Sequence, residues 1–197
     1  MKTYLLDGLW GRPLRLQLLK RRLEQAGIGE VEICRYDASG RSCLLDEGRK
    51  FVDHLASTEG PVNLVGYSMG GLVIRSTCLA APDLPVRSAA FLNTPHAGSL
   101  AARLLPGAGI TQMRPSSEFL RQLDDADWQV PTFVAWTPGD LMVLPASSAR
   151  WRRATHTHRL GVPAHVWPLY SRTLHRNLAT FLTSPSQRQT LNHRLSK

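Results

Sequence analysis

Cysteine is scarce in this chain, with three residues, Cys34, Cys43 and Cys78, among 197. An odd number without a C-x-x-C pair or Cys/His metal spacing argues against a disulfide framework and against a zinc motif. It fits a reducing compartment, so a cytoplasmic location is expected. Cys78 lies in an apolar stretch and reads as a small buried hydrophobe. Long hydrophobic runs are missing too: no segment reaches ~20 consecutive apolar residues, which excludes a membrane-spanning helix from the expectation. Met1-Lys2-Thr3-Tyr4-Leu5-Leu6-Asp7 has too few apolar residues before its first acid for a signal sequence and reads as a first strand. Acidic residues are outnumbered, 15 against 24 Lys and Arg, for a net charge of +9. The bases are dispersed over helix faces (Arg15, Lys20, Arg21, Arg22; Arg49, Lys50; Arg150, Arg152, Arg153) and a tail (Arg188, Arg194, Lys197) without a recognition-helix or RNA-binding signature. A solvated basic surface is therefore expected rather than specific nucleic-acid binding, with weak contact to an anionic membrane surface left open.

What is present is an alternation of short apolar runs with longer amphipathic ones, the pattern of a mainly parallel sheet flanked by helices. Strands are expected near residues 3–7, 31–36, 62–66, 86–93, 131–136 and about 158–164. Helices are expected from Pro13 to before Gly27, over 43–57 and 69–81, from Ser116, from Pro145 to Arg153, and from Tyr170 to Leu182. With 43% hydrophobic residues and no internal repeat, one domain over residues 1–183 is expected, followed by a polar, basic and flexible tail over 184–197.

The most informative stretch is Gly66-Tyr67-Ser68-Met69-Gly70-Gly71, preceded by the apolar run Val62-Asn63-Leu64-Val65 and followed by a helical pattern. A serine on a sharp strand-to-helix turn needs small residues two positions before and after it, here Gly66 and Gly70. Such a turn exposes the Ser68 hydroxyl. It also aims the Met69 amide and the positive end of the next helix at one point, where the oxyanion of an acyl-transfer intermediate forms.

With these features the chain resembles the α/β-hydrolases, most closely the small bacterial lipases and esterases, over about residues 3–183. Beside the elbow, three segments carry the likeness: Tyr4-Leu5-Leu6-Asp7-Gly8-Leu9-Trp10-Gly11 as oxyanion strand and loop, Asn93-Thr94-Pro95-His96-Ala97-Gly98-Ser99 as the Thr-Pro-His-x-Gly-Ser loop, and Trp136-Thr137-Pro138-Gly139-Asp140 as the acid loop. The resemblance implies a minimal, six-stranded version of that fold, without its first two strands and without a large cap, and a cofactor-free serine hydrolase acting on a small-molecule or lipid ester. Leu9 is then the second oxyanion donor and Asp140 the acid of a Ser-His-Asp triad. Among seven histidines, His165 is the preferred base because Gly161-Val162-Pro163-Ala164-His165 resembles the family loop before the last helix; His175 is the alternative, and His96 matches a loop residue that is not the family's base. One departure is evident: Asp7 stands where most members have histidine, so the hydrogen bonds of that histidine need a replacement. A thioesterase or amidase with the same triad, and a non-catalytic binding module, are the competing expectations.

Overall fold

The computed structural model describes residues 1–184. Six parallel strands form one sheet: β1 (Lys2–Leu6), β2 (Glu30–Cys34), β3 (Val62–Tyr67), β4 (Val86–Leu92), β5 (Thr132–Trp136) and β6 (His156–Arg159), in the spatial order β2-β1-β3-β4-β5-β6. The helices are α1 (Gln17–Gln25), α2 (Leu44–Leu55), α3 (Met69–Ala80), α4 (Ala108–Gln112), α5 (Glu118–Asp125) and α6 (Arg172–Thr183). The expected tail over 184–197 lies, from residue 185 onward, outside the described residues.

Every residue of β3 and β4 is buried, as befits strands covered on both faces. One apolar layer packs Leu19 and Leu23 of α1 and Leu174 and Leu178 of α6 on Leu5, Val65 and Phe133; the other packs Phe51 of α2, Leu72 of α3 and Phe119 of α5 on Tyr4, Leu64 and Phe91. The strand order reverses at β1, because the chain goes from β1 outward to β2 and then back across to β3. Right-handed crossovers on either side of such a switch point place helices on opposite faces and leave a crevice at the carboxyl ends of the two strands. Asp7–Leu9 leave β1 there, and Ser68 leaves β3.

Two expectations need correction. The last strand occupies 156–159 rather than 158–164. It pairs with β5 through its backbone (Phe133↔His156 to Trp136↔Arg159) and carries polar side chains, exposed except for the half-buried His158 stacked on Phe133, so no apolar run marks it. The apolar residues within that range, Leu160 and Val162, lie in the following loop and pack against the α1–α6 layer. The helix expected over Pro145–Arg153 shrinks to a single 3-10 turn, Ala146–Ala149, because Arg150 is already extended (ψ 144°) and leads into Trp151. Among the described residues no cap domain covers the sheet; between β4 and α5 there is only a 3-10 turn at Leu100–Arg103 and the five-residue α4.

Candidate active site

Ser68 joins β3 to α3 with φ 54° and ψ −125°, a conformation that costs a non-glycine residue roughly 1–3 kcal/mol. The turn closes only around small neighbours. A Cβ on Gly66 would lie 2.4 Å from the Gly71 Cα, and one on Gly70 would lie 2.4 Å from the Asp7 carbonyl oxygen.

Three side chains expected from the sequence meet here. The Ser68 Oγ is 2.9 Å from Nε2 of His165, and Nδ1 of His165 is 2.5 Å from Oδ2 of Asp140. A carboxylate only accepts, so the proton is assigned to Nδ1, which leaves Nε2 as acceptor for the serine hydroxyl. Asp140 is buried, and its Oδ1 accepts the amides of Met142 (2.8 Å) and Val143 (2.9 Å), which fix the carboxylate before it meets the ring. His165 is held from two sides: Asn93 Nδ2 donates to its carbonyl at 2.8 Å, and the Tyr67 ring lies beside the imidazole with centroids 5.1 Å apart. Asn93 has φ 47°, a left-handed conformation asparagine tolerates better than most residues. It belongs to the Asn93–Ser99 segment noted in the sequence, but its anchoring task had no sequence signal.

Leu9 lies on the wall of the same cavity, and Met69 is the first residue of α3, so its amide has no intrahelical acceptor. The main-chain amide of Leu9 likewise has no acceptor among the described residues. Gly8 explains the closeness of the loop to the serine: a Cβ there would lie 2.7 Å from the Ser68 Cβ.

At Asp7, where the resemblance led to the expectation of replacement hydrogen bonds, the structure has an ion pair. Asp7 is buried and accepts the Gly8 amide at 2.7 Å, the Arg12 amide at 3.1 Å and the Arg15 Nε at 2.8 and 3.0 Å, while Arg15 Nη2 also reaches the Gly8 and Leu9 carbonyls at 3.4 and 3.3 Å. Arg15, read in the sequence as part of a solvated helix face, thus clamps the Asp7–Leu9 loop; its partner Asp7 lay outside any helical pattern, which hid the pair. From the opposite side the Tyr36 hydroxyl donates to the Asp7 carbonyl at 2.6 Å. Arg15→Met keeps most of the stem's packing but strands a buried carboxylate, so a stability loss of about 2–4 kcal/mol is expected. A loosened loop also shifts the Leu9 amide relative to Ser68, and if the two act together in hydrolysis, kcat should fall ten- to hundredfold, about the effect of a 1 Å displacement. Denaturant midpoints and steady-state rates measured on the same preparation check both; an unchanged kcat would show the loop to be held without the clamp.

The other two histidine candidates lie away from Ser68. His96 is buried, stacked on Trp151 (centroids 4.9 Å, interplanar 5°), with Nδ1 3.5 Å from Nη1 of Arg75. Arg75 in turn bonds Asp124 at 2.6 Å, so Asp124 is the counter-charge of a buried arginine. His175 is buried rather than on the helix surface, and its Nε2 donates to the Leu169 carbonyl at 2.8 Å. Burial, then the Arg75 charge, holds the His96 pKa well below the usual imidazole value; burial is also the main cause lowering that of His175. In the unfolded chain both take up a proton near pH ~6.5. Folding is therefore favoured fully above that pH and progressively less as pH falls, because only the unfolded state binds the protons. The melting temperature is expected to drop between pH 7.5 and 5, and His96→Phe, which keeps a ring against Trp151, should flatten the drop; parallel curves would remove His96 as a cause.

The crevice encloses a cavity of about 550 Å3 with a mostly apolar lining. Ala101, Ala102, Leu105, Ile110, Met113 and Val143 are among its lining residues. Trp10, Leu104, Leu141 and Met142 stand at the mouth and are exposed.

No protein-family model matches the chain, and a search of curated proteins finds no match. Solved structures do match. A monoacylglycerol lipase of Paleococcus ferrophilus superposes with a TM-score of 0.69 at 13% identity, over 92% of this chain and 93% of that one. An extracellular α/β-hydrolase from a Paenibacillus species gives 0.58 at 14% identity, over 92% and 97%. The phospholipase PlaB of Legionella pneumophila gives 0.58 at 18% identity over 70% of this chain; the match spans only 38% of the phospholipase. A single parallel sheet with its crevice at the switch point, matched at these TM-scores, identifies the architecture: the chain has the α/β-hydrolase fold.

Proposed function

We propose that the protein is a serine hydrolase that cleaves carboxylic esters, of lipase or esterase type, through an acyl-enzyme. The reading rests on the continuous hydrogen-bonded chain Ser68–His165–Asp140, at 2.9 and 2.5 Å, on a serine held at positive φ. As Ser68 attacks the acyl carbonyl, His165 Nε2 takes its proton, and Asp140 stabilises the imidazolium and keeps the ring in the reactive tautomer. The amides of Leu9 and Met69 receive the negative charge on the tetrahedral oxygen, each worth about 3 kcal/mol at the transition state. His165 then protonates the departing alcohol, and a water molecule activated by the same nitrogen releases the acid.

The cavity supports a substrate class. Among the described residues that line it, Arg15 carries a charge but is already paired with Asp7, so the site offers an incoming chain apolar contacts. Burial of each methylene there stabilises the complex by about 0.8 kcal/mol, which favours an apolar acyl chain over an acetyl group. That the structural neighbours include a monoacylglycerol lipase and a phospholipase agrees with this preference. The test is labelling by a fluorophosphonate probe together with hydrolysis of p-nitrophenyl esters of increasing acyl length. Labelling with kcat/KM rising from acetyl to medium chains is the expected result; no labelling and no turnover of any ester would leave a binding module instead.

A further inference from the structure

Away from Ser68 and His165, three side chains from two elements converge. Glu32 and Cys34 alternate along β2, so both project from the same face, the one covered by α2, which supplies His54. Nε2 of His54 is 3.3 Å from Oε1 of Glu32 and 3.7 Å from Sγ of Cys34, and Sγ is 3.9 Å from the same carboxylate oxygen. A tetrahedral zinc ion, with Zn–S near 2.3 Å and Zn–N and Zn–O near 2.0–2.2 Å, sets nitrogen and oxygen about 3.3 Å apart and sulfur about 3.6 Å from each. The three donors already stand within a few tenths of an ångström of that triangle.

We propose that Glu32, Cys34 and His54 form a three-ligand zinc(II) site that fastens β2 to α2. Four further observations fit the assignment. The donors sit on rigid supports: β2 pairs with β1 from Lys2↔Glu30 to Leu6↔Cys34, and Gly48 of α2 is so close to α3 that a Cβ would lie 2.4 Å from the Ser76 Oγ. The imidazole is aimed by its neighbours, lying nearly parallel to Phe51 (centroids 5.7 Å, 13°) and edge-on to Tyr4 (5.7 Å, 82°). One thiolate and one carboxylate offset the charge of a divalent ion, so the filled site is neutral in a strongly basic protein. Cys34 is buried while the Glu32 and His54 side chains are 38% and 47% exposed, which leaves an open side for the ion to enter and for water to complete four-coordination.

The donor set, one soft sulfur with imidazole and carboxylate, suits zinc rather than calcium or magnesium, which take oxygen. The Cys34 proton passes to solvent as the Zn–S bond forms. The metal's effect is on the scaffold. Just beyond β2, the Tyr36 hydroxyl bonds the Asp7 carbonyl and the Ala38 carbonyl accepts the Trp10 amide at 2.7 Å, so the fastened strand leads directly into the support of the oxyanion loop.

Titration of the full chain with cobalt(II) under reducing conditions, followed by zinc, tests this without reference to activity. The expected result is a near-ultraviolet thiolate-to-cobalt charge-transfer band that saturates at about one ion per chain and is displaced by zinc. Cys34→Ser should lose the band while Cys43→Ser and Cys78→Ser keep it, and the surface change Glu32→Gln, which leaves the core intact, should weaken affinity tenfold or more. Zinc at about a hundredfold over its dissociation constant should raise the melting temperature of the wild type by about 5–10 °C. Absence of the band in the wild type, its survival in Cys34→Ser, or unchanged affinity in Glu32→Gln would each overturn the site.

Discussion

Ser68→Ala is expected to lower the kcat for ester hydrolysis by about a millionfold and to abolish labelling by a fluorophosphonate, with the protein still folded. The size follows from what is removed. Without the Oγ there is no nucleophile to form the acyl-enzyme, and His165 has no proton to accept, so the residue left is only the acceleration that binding and two oxyanion amides give to attack by water. Folding should survive because alanine occupies the same backbone conformation at the same cost, and the lost hydrogen bond is one the serine makes with His165 at the wall of a cavity. Intact-mass analysis after exposure to the probe gives a direct reading. A covalent adduct on Ser68→Ala equal to that on the wild type would place the nucleophile elsewhere and remove the central element of the proposed mechanism.

The second large effect distinguishes two histidines. His165→Ala should reduce kcat by about 10⁴–10⁶, because one ring supplies both activation of the serine and protonation of the leaving group. The variant leaves Asp140 with the amides of Met142 and Val143 still bonded to it, so the loss of stability should be small. His175→Ala should behave in the opposite way. Its ring fills a buried place on α6 and donates to the Leu169 carbonyl, so truncation opens a void and orphans an acceptor at a cost of about 2–4 kcal/mol, while kcat stays near the wild-type value in the folded fraction. Rates and melting temperatures recorded for both variants separate the cases. If His175→Ala were inactive at unchanged stability and His165→Ala active, the base would be His175 and the mechanism would need a different closed form of the site.

How much of this was legible in the sequence depended on whether a feature was written in contiguous residues. The elbow was, because its glycines, its preceding apolar strand and its following helix lie within about twenty positions and each has a separate steric cause. β3 and β4 were, since strands buried on both faces read as apolar runs. β6 was not: an edge strand with the sequence His156-Thr157-His158-Arg159 carries no hydrophobic signal, and the apolar loop behind it was read in its place. The convergence of Ser68, His165 and Asp140 was anticipated through chain order and resemblance, yet the supports of that convergence were invisible. Arg15 looks like any basic residue of an amphipathic helix until the fold sets it against Asp7, and Asn93 looks like a turn residue until its amide meets the His165 carbonyl. Cys34 and His54 are twenty residues apart on different elements, a spacing that no local motif describes.

The backbone at Ser68 has a consequence for how this protein can change. A residue that carries a Cβ sits there in a conformation that glycine would occupy without strain, so a position disfavoured for folding is also the one the proposed reaction cannot do without. Variants recovered for heat resistance alone would drift toward glycine at this site and lose turnover, whereas selection for turnover holds the tension in place. Gains in robustness must then come from positions remote from the elbow, and the molecule's tolerance of mutation elsewhere is reduced by the cost kept at this one turn.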